Sequence, residues 1–335
     1  MSDRKALTAQ FLAECGWGDA KQSHLAGDAS NRSYLRLTRG TETAVLMDAP
    51  PNQGENVRPF VAITNHLLNL NLSAPRILSQ NNAHGFLLIE DLGDALFARL
   101  IQGAPDMERP LYDAAVDVLV QLHQNPAPEG LLEYSPTVMA DNISPIFDWY
   151  HPAKDDEITA IKSTLRSTLT KYCTTPPVMA LRDYHAENLL WLPDRSGTKR
   201  AGLLDYQDAV LAHPAYDLVS LLQDARRDVS PQIQTEMIAR YIKATNADPQ
   251  SFHAAYFAQG AQRNLRIIGI FARLCIVAEK PDYIDLIPRV WGHLKEDLSH
   301  PTLSQLNTLV FNTLPQPTPD ILQRLKNKCK NRPTP

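Results

Sequence analysis

The segment 179–217, MALRDYHAENLLWLPDRSGTKRAGLLDYQDAVLAHPAYD, constrains this chain more than any other stretch. Three short apolar runs, at 178–181, 189–191 and 201–204, have the length of buried strands and are separated by polar, turn-forming residues. In and around those turns stand Asp183, Asn188 five positions on, Asp205 at the end of the third run, and Asp217 after a proline. Loops held by short strands are where folds display reactive side chains, so the acids are expected to share one pocket.

The rest of the chain sets what surrounds that segment. A length of 335 residues with 44% hydrophobic residues suffices for two lobes around substantial cores. The net charge of −4 supplies no basic footprint for a nucleic-acid partner. The first ten residues lack the apolar core of a signal peptide. The most apolar stretch, 267–278, is interrupted by Arg273, preceded by Arg266 and too short to span a bilayer, so neither export nor a membrane partner is expected. Cys15, Cys173, Cys275 and Cys329 lie far apart without a CxxC pair, which suggests neither zinc nor a disulfide framework and fits a cytosolic protein with reduced thiols.

Read in order, the apolar spacing of Leu7, Phe11 and Leu12 predicts a leading helix closed by Gly16. Alternation over 34–38 and a second run at 44–47 predict a hairpin turning at 39–42. Ahead of it, Gly27, Asp28, Ala29, Ser30 and Asn31 form a turn-rich loop. By itself it reads as a plain turn, although its small residues would also let backbone N–H groups approach an anion. A helix over 57–70 and a strand over 87–90 complete a β-rich first part. The Glu90–Asp91–Leu92–Gly93–Asp94 sequence then reads as a hinge. Helical spacing dominates beyond it, at 111–123, 155–171, 214–226, 231–244, 251–279 with allowance for a break, and 283–298. A Pro- and Lys-containing tail begins near 314. The expected fold class is α+β, with a small β-rich lobe (1–92), a larger, mainly helical lobe (93–313) and a C-terminal tail (314–335).

Phosphoryl transfer from a nucleotide needs a group that accepts the proton of the attacking hydroxyl and oxygen ligands for a magnesium ion bridging the phosphates. An Asp, an Asn five residues later and a second Asp supply that set. Magnesium keeps several waters, so one amide oxygen and one carboxylate suffice from the protein. No GxxxxGK[ST] or GxGxxG motif occurs in the chain, which excludes a P-loop kinase and the dinucleotide fingerprint.

LRDYHAEN followed by LLDYQD and HPAYD resembles the aminoglycoside phosphotransferase and choline kinase superfamily, across nearly the whole chain. The resemblance implies a bilobal, protein-kinase-like fold with ATP and Mg2+ as cofactors. It implies that Asp183 is the catalytic base and that Asn188 and Asp205 are the metal ligands. The nucleotide is expected at the Gly27–Asn31 loop, Arg32 and the backbone of Glu90, Asp91 and Leu92. Longer strings, among them GDASNRSYLRL, GFLLIEDLGD and RNLRIIGIFARL, are most similar to anomeric kinases of N-acetylmuramate and N-acetylglucosamine in cell-wall recycling. That subfamily implies a small-molecule amino-sugar acceptor. His185, Trp191, Tyr216, Arg263 and Asn264 are its candidate contacts, although His185 reads first as loop support. His213 and Asp217 are expected to brace the catalytic loop. An aminoglycoside or choline-like alcohol is the alternative acceptor, and a nucleotide-binding pseudokinase is the alternative of another class. Kinases of this fold normally carry a Lys near the end of the third strand, where this chain has Met47. Arg32 and Arg36 are the nearest cations that could replace it.

Overall fold

The computed structural model describes residues 2–25 and 31–330. The nucleotide loop expected at Gly27, Asp28, Ala29 and Ser30 lies outside them. The chain starts with helix α1 (Ser2–Glu14) and strands β1 (Lys21–His24), β2 (Ser33–Arg39) and β3 (Glu42–Asp48). Helix α2 (Arg58–Asn69), strands β4 (Ile77–Asn81) and β5 (Phe86–Glu90), and helices α3 (Phe97–Gly103) and α4 (Glu108–His123) follow. Next come α5 (Pro136–Asp141), α6 (Asp155–Tyr172) and four short strands, β6 (Val178–Ala180), β7 (Leu189–Trp191), β8 (Ala201–Leu203) and β9 (Val210–Ala212). The chain continues through α7 (Ala215–Leu222), α8 (Pro231–Thr245), α9 (Pro249–Ala278), α10 (Ile287–Leu298), α11 (Ser304–Thr313) and α12 (Pro319–Lys330).

Two compact units divide these elements. The first runs to Pro128 and takes in Ala186–Ala209; the second holds Glu129–His185 and the chain from Val210 onward. In this division residues 93–128 group with the sheet and 314–330 with the helices. Helix α4 stays with the sheet because its Gln121 side chain donates to the Leu70 carbonyl and accepts from Thr198 Oγ1 at 2.6 Å. At the other end of the chain, Leu314 and Leu325 are buried in the helical core.

In the first unit an antiparallel sheet has the order β1-β2-β3-β5-β4. Arg39 pairs with Glu42, leaving a two-residue turn in which Gly40 takes φ 57°, a conformation that side chains resist. Alternation sends Leu37, Ala44, Leu46, Phe86 and Leu88 to one face, where Phe11, Leu12 and Trp17 cover them. Phe11 stacks on Phe86 at 5.4 Å. Each of the buried leucine and phenylalanine side chains contributes about 1.5–3 kcal/mol relative to exposure. The opposite face carries Tyr34, Arg36, Val45 and Ile89. The β7–β8 hairpin joins this unit through backbone bonds on both sides, Leu203 N to Ser73 O and Trp191 N to Ala95 O, each 2.8 Å.

In the second unit α9 is a single unbroken helix of 30 residues. Asp248 caps its start, accepting from Ser251 N at 2.8 Å, and Glu279 ends it at φ 55°. The helix runs without the break for which its sequence left room, and Gly269 within it serves close packing. A Cβ there would lie 2.3 Å from Ile146 N, so only glycine lets the turn at Pro145 and Ile146 lie against the helix. Strands β6 and β9 pair antiparallel, Val178 opposite Ala212, and carry the ends of the loop that contains Asp183.

Candidate active site

A cavity of about 430 Å³ lies in the first unit, within the size range of small-ligand sites. Tyr34 and Arg36 from β2, Val45 from β3 and Ile89 from β5 form one side of its lining; Asn188, Asp205 and Tyr206 also line it. Glu90, Asp91 and Leu92 border it as well, but two of their side chains are committed elsewhere. Glu90 accepts from Arg195 at 2.9 Å and Arg76 at 3.2 Å. Asp91 and Asp94 both hold Arg36, at 2.9 and 2.6 Å. Through these bonds Asp94 and then Asp91 raise the Arg36 pKa above its ordinary value, and Arg36 holds the Asp94 carboxyl below the usual range.

Of the two arginines nearest the missing Lys, Arg36 lines the cavity but is bound by Asp91 and Asp94. Arg32 donates to Glu55 at 2.7 Å, and Asn31 is tied to the same segment through Glu55 and the Gln53 carbonyl. Neither Arg32 nor Asn31 lines the cavity. Met47 is 1% exposed, two positions along β3 from Val45.

Asp205 ends a strand in the left-handed region, at φ 55°, where Asp is among the tolerated residues. The next side chain holds it there. Tyr206 is fully buried, stacks on Phe60 at 5.1 Å and shares a hydrogen bond with Thr64 at 2.7 Å. The Asp205 carboxylate accepts from Gln207 at 2.7 Å through one oxygen and from the Asn188 amide nitrogen at 3.4 Å through the other. Leu204 N also donates to the Asn188 carbonyl, at 3.0 Å. These contacts set one carboxylate and one amide beside the cavity as hard oxygen donors, the set suited to magnesium. Among the described residues no group of three or more His, Cys, Asp or Glu could hold a metal by itself. A two-ligand site completed by phosphate oxygens and water fits this arrangement.

In the second unit the loop carrying Asp183 is clamped from below by α7. Asp183 N donates to Leu181 O at 2.9 Å, closing a three-residue turn around Arg182 at φ 71°, the rarer and strained form of γ-turn. Asp217 keeps it closed, its two oxygens accepting from Leu181 N at 2.6 Å and Arg182 N at 2.9 Å. Ser220 Oγ donates to the Arg182 carbonyl at 3.0 Å and accepts from Arg263 at 2.6 Å. Burial pushes the Asp217 carboxyl up to about 7, against the pull of its two backbone donors. His185, two residues after Asp183, is buried with Nε2 3.3 Å from Arg226 Nη1.

Comparison with known proteins agrees with this chemistry. Residues 21–254 match the model of the phosphotransferase enzyme family. This chain belongs to that family. As a member it is an enzyme that transfers phosphate to an alcohol group. It is 40% identical to an N-acetylmuramate/N-acetylglucosamine kinase of Caulobacter vibrioides, over 95% of this chain and 98% of that protein. It is 31% identical to a kinase of the same name from Pseudomonas putida, over 88% and 89% of the two chains. Among solved structures, a choline/ethanolamine kinase family protein from Mesorhizobium loti shares the fold, with a TM-score of 0.64 at 14% identity over 92% of this chain and 99% of that one.

Within this phosphotransferase, several residues expected to contact the acceptor have interior roles. Tyr216 is 2% exposed and packs edge-on to Tyr134 at 6.0 Å. Asn264 is buried and donates to Gln223 at 2.7 Å and Asp297 at 2.9 Å. Arg263 stands behind Ser220 and supports the Asp183 loop. Trp191 lies on the hairpin of the first unit, edge-on to Phe97 at 6.3 Å. A buried polar group requires a partner, and these partners lie far away in sequence. Tyr206, the anchor of Asp205, is absent from the residues that sequence pattern singles out; its place beside that acid is the available signal.

His213 serves α7 rather than the Asp183 loop: its Nδ1 accepts from Ala215 N at 3.1 Å, which requires a neutral ring. Burial pushes its pKa down to about 4. The unfolded chain binds this proton below about pH 6.5 and the folded chain does not, so the stability held above pH 6.5 is lost as pH falls toward 4. The full shift corresponds to roughly 3 kcal/mol. Thermal denaturation of His213→Gln is expected to show a shallower decline between pH 6.5 and 4 than the wild type. Equal slopes would show that His213 is protonated in the native state.

Proposed function

We propose that this phosphotransferase moves the γ-phosphoryl group of ATP onto the anomeric hydroxyl of N-acetylmuramate and N-acetylglucosamine, in the cytosol. The observation that carries the reading is the Asn188 and Asp205 pair beside the cavity, in a chain whose relatives bear the name of that sugar kinase. Asn188, through its amide oxygen, and Asp205, through its carboxylate, would hold magnesium, which when bound neutralises charge on the phosphates. The apolar part of the cavity, with Val45, Ile89 and Leu204, accommodates the purine ring, and Arg36 fixes the Asp91–Asp94 turn at its edge. Asp183 accepts the proton of the sugar hydroxyl as its oxygen bonds the γ-phosphorus and the bond from that phosphorus to the β–γ bridging oxygen breaks, with ADP as the leaving group. Its loop is set in advance by Asp217 and Ser220, so little reordering accompanies the reaction.

The test is a coupled ADP-release assay over amino sugars, aminoglycosides and choline, with phosphorus NMR of the product. Turnover of the two N-acetyl sugars with phosphate on carbon 1 is the expected outcome. Absence of turnover with every amino sugar, under conditions where ATP binds, would sink the proposal.

A further inference from the structure

Arg226 follows α7 on a turn shaped by its own backbone N–H, which donates to Asp224 Oδ1 at 2.8 Å. Its side chain is exposed, yet one end is held in place: Nη1 lies 3.3 Å from His185 Nε2. A guanidinium only donates, so Nε2 accepts and the ring proton sits on Nδ1. Burial first, and then the charges of Arg226 and Arg263, keep His185 well below its ordinary pKa and therefore neutral. The contact with His185 adds no charge of its own and uses one of five N–H donors, while the buried Asp224 carboxylate, whose Oδ1 takes the Arg226 backbone N–H, also attracts the guanidinium.

The neighbouring arginines are engaged differently. Arg263 is buried on Ser220, and Arg289 is paired with both oxygens of Asp228, at 2.6 and 3.2 Å. Arg226 combines exposure, a neutral anchor and a position against the residue two places from the catalytic base. Such a group binds a carboxylate, because planar guanidinium donors match carboxylate oxygens in pairs.

We propose that Arg226 binds the lactyl carboxylate of N-acetylmuramate and sets this enzyme's preference for it over N-acetylglucosamine, which lacks that group. The assignment rests on the sugar-kinase reading above. The experiment measures kcat/KM for both sugars, and for N-acetylmuramate with its carboxylate converted to the neutral amide, in wild type, Arg226→Gln and Arg226→Lys. The muramate-to-glucosamine ratio is expected to fall about 10- to 100-fold in Arg226→Gln, the range for losing a hydrogen bond to a charged group. The loss should appear mainly in KM, as expected when a contact is made equally in ground and transition states. Arg226→Lys should recover part of it, and the amide should show no comparable discrimination. Turnover of N-acetylglucosamine by the variant reports that it is folded. An equal loss for both sugars, or an unchanged ratio, overturns the assignment while leaving the sugar-kinase reading intact. Turnover of neither sugar by the wild type overturns both.

Discussion

Asp183→Ala is expected to lower kcat by at least about 100-fold, the lower end of what a positioned general base contributes. ATP affinity should stay within a few-fold of the wild type, because the cavity of the first unit does not include this side chain. The loop itself should persist in the variant. Its unfavourable turn at Arg182 is held by the Asp217 carboxylate and the Ser220 hydroxyl. Single-turnover kinetics together with calorimetric ATP binding separate the two effects. Near-normal turnover in this variant would reject Asp183 as the base, and lost ATP binding would show that it supports the nucleotide site instead.

Asp205→Ala is expected to act on the other half of the reaction. It removes a carboxylate that Asn188 and Gln207 orient from either side, at 3.4 and 2.7 Å. Magnesium-dependent ATP affinity should fall by at least about 10- to 100-fold, the range for losing even a residue that only supports a metal ligand. Binding measured without magnesium should change far less. Calorimetry with and without the metal gives the comparison directly, and an equal loss in both conditions would assign Asp205 to the nucleotide pocket rather than to the metal. Because Tyr206, not Asp205, fills the pocket beside Phe60 and Thr64, the variant should retain its fold.

Much of this site was readable from local pattern. The spacing of Asp183, Asn188 and Asp205 is a property of one short segment, and the apolar runs around it became β6, β7 and β8. Alternation in 34–38 likewise placed Arg36 on the face opposite Leu37, which is the cavity face. Pattern did not reveal what Arg36 does there. Its partners Asp91 and Asp94 are 55 and 58 residues away, and an arginine bound by two carboxylates looks the same in sequence as one waiting for phosphate.

The long helix α9 shows the limit most clearly. Its apolar spacing was enough to predict a helix, but Arg263 and Asn264 read as polar residues awaiting a ligand. In the structure they serve Ser220, Gln223 and Asp297 in the interior. The sequence alone determined the family and the α+β class, because the family motifs depend on residue type and spacing within one segment and the class on local apolar periodicity. Tertiary structure decided which polar groups remain exposed to bind an acceptor. That depends on hydrogen bonds between distant segments, which draw Arg263 into the interior against Ser220 and leave Arg226 exposed.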